Sequence, residues 1–79
     1  MAYIPSDAIR TYMSIKSIIA EYFSDKARDP FVTMNKRSGK VAVTIRRKGQ
    51  KTITHNMRIS DIEYLREVYD QLHKMAFGR

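Results

Sequence analysis

The sequence contains no cysteine, so neither a disulfide staple nor a thiolate metal site can compensate for a small core. Histidine is almost as scarce. His55 and His73 are the two present, and no HExxH-type spacing surrounds them. His55 falls in the inward register of a strand, as a partly covered structural histidine, and His73 lies beside the apolar stripe of a helix. Asp61 and Glu63 read as a helix start and need no acid–base role. Gly39 and Gly49 read as turn glycines outside any phosphate-binding loop motif. No catalytic constellation and no cofactor or metal ligand set is legible, so a binding protein is expected and not an enzyme. No run approaches the ~18 apolar residues of a membrane span, and the N-terminus lacks a signal-peptide pattern. A cytoplasmic protein with no membrane partner is the expectation. Internal repeats, low-complexity tracts and a second-domain linker are missing too.

The most informative absence is local. Residues 31–58 contain no acid, yet they hold Lys36, Arg37, Lys40, Arg46, Arg47, Lys48, Lys51 and Arg58. The chain carries 15 Lys and Arg against 8 Asp and Glu. Outside this stretch, seven basic residues therefore face eight acidic ones. The formal +7 is thus a concentrated field, of the kind that attracts a polyanion. Lysines on exposed strands also keep sheet edges soluble. Edge protection, however, does not require a stretch this long to be free of acids.

The same stretch alternates with period two. Val41, Val43 and Ile45 point one way, and Lys40, Ala42, Thr44 and Arg46 the other. Ile53, Met57 and Ile59 oppose Thr52, Thr54, Asn56 and Arg58 in the same manner. Residues that share a face fix the register. Ser38-Gly39 supplies a two-residue turn that sets Val32 and Met34 against Ile45 and Val43. Arg47-Lys48-Gly49 fits an odd loop that sets Val43 against Ile53. Three antiparallel strands result, with 40–46 in the middle. One face is apolar. The other carries Phe31, Thr33, Asn35, Arg37, Lys40, Ala42, Thr44, Arg46, Thr52, Thr54, Asn56 and Arg58.

Helices flank the strands. Ser6 is the expected N-cap of the first, with Asp7 in its first turn, and the helix closes domain segment 1–24. Ile9, Tyr12, Met13, Ile19, Ala20 and Phe23 form its stripe, widened by Ile15, Ile18 and Tyr22. A surface helix needs one stripe, so the excess width means either deep burial or a second contact with another subunit or a protein partner. Ser60 and Glu63 form a capping box for the second helix (60–77), with Ile59 and Tyr64 as its staple. Ile62, Leu65, Val68, Tyr69, Leu72, Met75 and Ala76 make one clean stripe, and four acids lie elsewhere on that helix. The expected fold is α+β, a single domain of 79 residues in the order αβββα. Helix packs on one sheet face, leaving the other face (31–58) open and cationic. A chain this short is near the lower limit for a self-sufficient core, so homodimerisation is expected.

Phe31-Val32-Thr33-Met34, followed by Ser38-Gly39-Lys40-Val41-Ala42-Val43-Thr44-Ile45-Arg46, resembles the single-strand-binding core of the positive cofactor four family of transcriptional coactivators. The likeness is ungapped over 31–46 and resumes at Met57-Arg58-Ile59-Ser60 and Tyr64, covering about half the chain. The resemblance implies a homodimer, here a phage or bacterial member. Its sheets would form grooves for single-stranded DNA, held by backbone contacts and base stacking. Lys40, Arg46 and Lys51 stand where that family has cationic DNA contacts. Arg37 stands where the family has an aromatic, and Gly49 where it has a tryptophan. A more electrostatic mode is therefore expected, and the N-terminal helix has no counterpart.

Single-stranded DNA is accordingly the expected partner, with RNA as the alternative nucleic acid, bound without sequence specificity in replication, recombination or transcription. The candidate contacts are Lys36, Arg37, Lys40, Thr44, Arg46, Arg47, Lys48, Lys51, Thr54 and Arg58, with Phe31 as a stacking platform. Two other readings stand beside this one. A phage-type interaction or inhibitor protein would use the N-terminal helix against a host nucleic-acid enzyme. A double-stranded RNA-binding domain shares the αβββα order, but its second helix opens with lysines, where this chain has Asp61 and Glu63.

Overall fold

A computed structural model of the chain describes residues 5–78. The order is α1 (Ser6–Tyr22), β1 (Phe31–Arg37), β2 (Lys40–Arg46), β3 (Ile53–Arg58) and α2 (Ile62–Phe77). The strands form one antiparallel sheet in the order β1-β2-β3. The two helices lie along each other, with α1 reaching β1 and α2 reaching β3. The fold is the αβββα arrangement read from the periodicities.

The first hairpin is built as its turn residues dictate. Ser38 and Gly39 both have positive φ, 51° and 76°. That combination is the type I′ geometry, which matches the twist of two adjoining strands. It sets Val32 against Ile45, Met34 against Val43 and Arg37 against Lys40.

The second hairpin departs from expectation. Val43 faces His55, and Ile53 faces Ile45, a slip of two residues from the register that a three-residue loop would give. The turn spans 47–50, closed by Gln50 N–H donating to the Arg47 carbonyl at 3.3 Å, and Lys51 and Thr52 precede β3 unpaired. The cause is a long-range bond: Lys48 N–H donates to Asp29 Oδ1 at 2.9 Å. That bond ties the loop to the α1–β1 linker. Because the slip is an even number, every strand side chain stays on its expected face. Thr52 leaves the strand.

The apolar side of the sheet is covered. Val32, Val41, Val43, Ile45 and Met57 are buried with Leu65, Val68 and Leu72 of α2 and with Ala8, Ile15, Ile18 and Ile19 of α1. Each aliphatic side chain taken fully from water contributes roughly 1.5–3 kcal/mol. Ile53, inward by register, remains 48% exposed at the sheet margin. His55 is half-buried in the inward register, and its Nδ1 lies 3.2 Å from the Tyr64 hydroxyl.

Both helix starts shift by one residue. Pro5, not Ser6, is the N-cap of α1, and it makes no side-chain cap bond. Its carbonyl accepts from Ala8 N–H at 3.0 Å and Ile9 N–H at 3.3 Å. The proline φ of −59° presets the entry and takes Ser6 inside the first turn. At α2 the cap is Asp61, whose Oδ1 accepts from Tyr64 N–H at 3.3 Å. Ser60 instead sits in a turn closed by Asp61 N–H to the Arg58 carbonyl at 2.9 Å. Aspartate caps as well as serine and adds negative charge at the positive helix end.

The α1 stripe is also rotated. Ala8, absent from the expected stripe, is fully buried, whereas Ile9 and Met13 are 44% and 50% exposed and Ala20 is exposed. Helix α1 faces α2 and β1 with the side carrying Ala8, Ile15, Ile18 and Ile19. The apolar excess on the sequence is therefore real surface.

Candidate nucleic-acid interface

The second sheet face reads as four cross-strand rows. Strand pairing opposes Arg37 to Lys40 and Lys40 to Arg58, giving a row of three cations. The next row is Asn35, Ala42 and Asn56, and the one after it is Thr33, Thr44 and Thr54. Phe31 and Arg46 form the last. All four cations in these rows are exposed, as are both asparagines. Among the described residues, no element covers this side.

The cation row is electrostatically costly. Directly opposed side chains have Cβ atoms ~4.5–5.5 Å apart, and like charges there oppose sheet formation. A neighbouring carboxylate would offset this cost, and none among the described residues lies within ion-pair distance of the row. The one ion pair among the described residues is Arg28–Asp25, at 4.0 Å. Arg37, Lys40 and Arg58 thus form an exposed row without an ion-pair partner among the described residues.

The middle rows are neutral and hydrogen-bonding. Thr44 and Thr54 hydroxyls lie 3.2 Å apart, which leaves each with further capacity toward a ligand. In the last row the Arg46 guanidinium carbon stacks 4.8 Å from the centroid of Phe31. An Arg46 Nη also donates to the Lys26 carbonyl at 3.3 Å. Phe31 is half-buried, with one ring face occupied by Arg46. The plane presented at this end is therefore a guanidinium held by a ring, and guanidinium planes also stack on bases.

The remaining candidates lie off this face. Lys36 takes the inward register opposite Val41, but is exposed at the end of β1. Arg47 and Lys48 belong to the β2–β3 turn, and Lys51 is exposed just before β3. Arg47 is half-buried and Lys48 exposed.

Two further cations join them. Lys26 and Arg28, from the α1–β1 linker, line one depression with Asp29, Arg46, Arg47 and Lys48. They lie outside the acid-free stretch, in a segment that mixes charges of both signs. Asp29 is what draws it in, through the bond to Lys48 N–H. Nothing local in the sequence announces that bond.

A second surface lies on the helical layer. Met13 and Tyr22 of α1 and Tyr69, His73 and Phe77 of α2 line a shallow groove. The Tyr22 and Phe77 rings meet edge to face at 5.0 Å, and the His73 ring lies 4.6 Å from that of Phe77, tilted by 49°.

Comparison with family models, with curated proteins and with solved structures finds no match. No helix among the described residues is long and apolar enough to cross a membrane.

Proposed function

We propose that the chain binds single-stranded nucleic acid, with DNA as the principal ligand, through the uncovered cationic sheet face. The observation that carries this reading is the exposed row Arg37–Lys40–Arg58, without an ion-pair partner among the described residues. A fold that accepts three opposed like charges in this way is matched to an anionic ligand. The flat run of asparagine and threonine beside it suits the bases and sugars of a strand that needs no sequence-specific pocket. The likeness of 31–46 to the positive cofactor four core agrees with this reading and belongs to the proposal. The chain acts as a binding protein, without catalysis, in a cytoplasmic setting of replication, recombination or transcription.

The groove of α1 and α2, where exposed Met13, Tyr22 and Phe77 stand beside Arg10 and Glu21, supports a second element of the reading, a homodimer joined through the helical layer. A second copy seated there leaves the sheet face free. The same groove favours the alternative of an interaction protein that docks on a nucleic-acid enzyme.

The deciding experiment is a binding series with single- and double-stranded DNA and RNA at fixed salt, repeated across salt concentrations. A face neutralising about four phosphates gives log K falling against log salt with a slope of about −3 for a single strand. Tight single-strand binding with that slope is the expected result. A flat salt response, or no binding to any nucleic acid, overturns the reading in favour of a protein partner.

A further inference from the structure

We propose that the strand lies lengthwise along β2, bridging two separate anion anchors at the opposite ends of the sheet, and that this sets a minimum ligand length. The inference rests on the single-strand reading above and adds direction and size to it.

The cations are not spread evenly over the face. One group is the row Arg37, Lys40 and Arg58, at the first hairpin. The other is the depression at the far end, where Arg46, Arg47 and Lys48 meet Lys26 and Arg28 of the linker. Among the described residues lining that depression Asp29 is the one acid, and its Oδ1 accepts from Lys48 N–H; Arg28 is paired outside it with Asp25 at 4.0 Å. The two rows between these groups hold threonine, asparagine and alanine and carry no charge.

Distance makes the arrangement selective. From Lys40 to Arg46 the chain takes six residue steps along β2, about 20 Å at ~3.3 Å per residue. With charges ~3.4 Å apart along a stacked strand, about six nucleotides span that gap. A strand crossing the sheet at right angles would meet one charged row and then leave the protein, because three strands are only about 10 Å wide. Lengthwise placement alone reaches both anchors. Once one anchor holds a phosphate, the second binds intramolecularly at high effective concentration, and nothing is gained until the ligand spans both.

The test is a length series of oligo-dT from three to twelve nucleotides at one low salt concentration. It uses the unmodified chain and two double variants. Arg37→Ala with Lys40→Ala weakens the first anchor, and Lys26→Ala with Lys48→Ala the second. All four side chains are exposed, so the fold is retained, and circular dichroism checks it. For the unmodified chain, affinity is expected to rise at least ~30-fold between three and eight nucleotides and then level off. Either double variant should flatten that rise, so that eight nucleotides bind little better than three. A gradual climb in proportion to length, or a step that survives loss of the linker pair, overturns the bridging inference while leaving single-strand binding intact. Failure of even twelve nucleotides to bind overturns the single-strand reading itself, and the inference with it.

Discussion

Lys40 and Arg46 occupy the same face of the same strand, yet their surroundings differ. Lys40 sits between two other cations, Arg37 and Arg58. Arg46 is fixed by the Phe31 ring and the Lys26 carbonyl. The first supplies field and the second a preordered plane, so less rotamer entropy is lost when Arg46 engages a ligand. Neither side chain belongs to the apolar core, and both are exposed. Reversing both to glutamate should therefore leave the fold intact. It should weaken single-strand binding at least ~30-fold, about 2 kcal/mol, in low salt. Arg66→Glu with Lys74→Glu changes net charge equally, but on exposed positions of α2. That pair should cost little. Equal losses in the two double variants, measured by fluorescence anisotropy, would mean that overall charge and not the sheet face governs binding.

Among the elements, α2 shows how a cap is chosen when two candidates adjoin. Ser60 and Asp61 both have side chains that suit a helix start, but the turn closing on the Arg58 carbonyl hands the position to Asp61. Asp61→Ala should lower stability by about 1 kcal/mol, and Ser60→Ala by no more than a few tenths. Urea denaturation of the two variants checks this, and the reverse ranking would restore the serine cap. The strands were legible because period-two patterning and the Ser38-Gly39 turn are local signals that fix one another. The two-residue slip at the second hairpin was not, since Asp29 acts on Lys48 from 19 residues away. The same bond ties the segment of Lys26 and Arg28, outside the acid-free stretch, to the loop, and both line the depression with Arg46. The α1 stripe was legible as too wide. Its orientation was not, since Ala8 is fully buried while Ile9 beside it is 44% exposed.

At the scale of the whole molecule, the acid-free stretch 31–58 sets its cations on or beside the sheet. The helical layer carries charges of both signs and also exposes Ile9, Met13, Tyr22 and Phe77, each between 41% and 50% accessible. Met13, Tyr22 and Phe77 share one groove, and a chain of 79 residues gains more than a large one by burying such side chains. Where a charge is placed decides what a variant reports. Leu72 and Ile18 are 0% and 6% exposed within a single chain, so aspartate at either position unfolds the protein and says nothing of assembly. Met13, half exposed on α1, separates the two effects. Met13→Asp should retain the circular dichroism spectrum and melting cooperativity of the parent while converting a dimer to a monomer. Sedimentation at micromolar concentration reads the difference directly. A parent chain that sediments as a monomer would remove the homodimer and leave the helical groove for a different protein. A dimer that survives Met13→Asp would move the interface away from α1, with the edge of β3, and that of β1 beyond Val32, whose N–H is held by the Phe23 carbonyl at 3.1 Å, as surfaces able to pair.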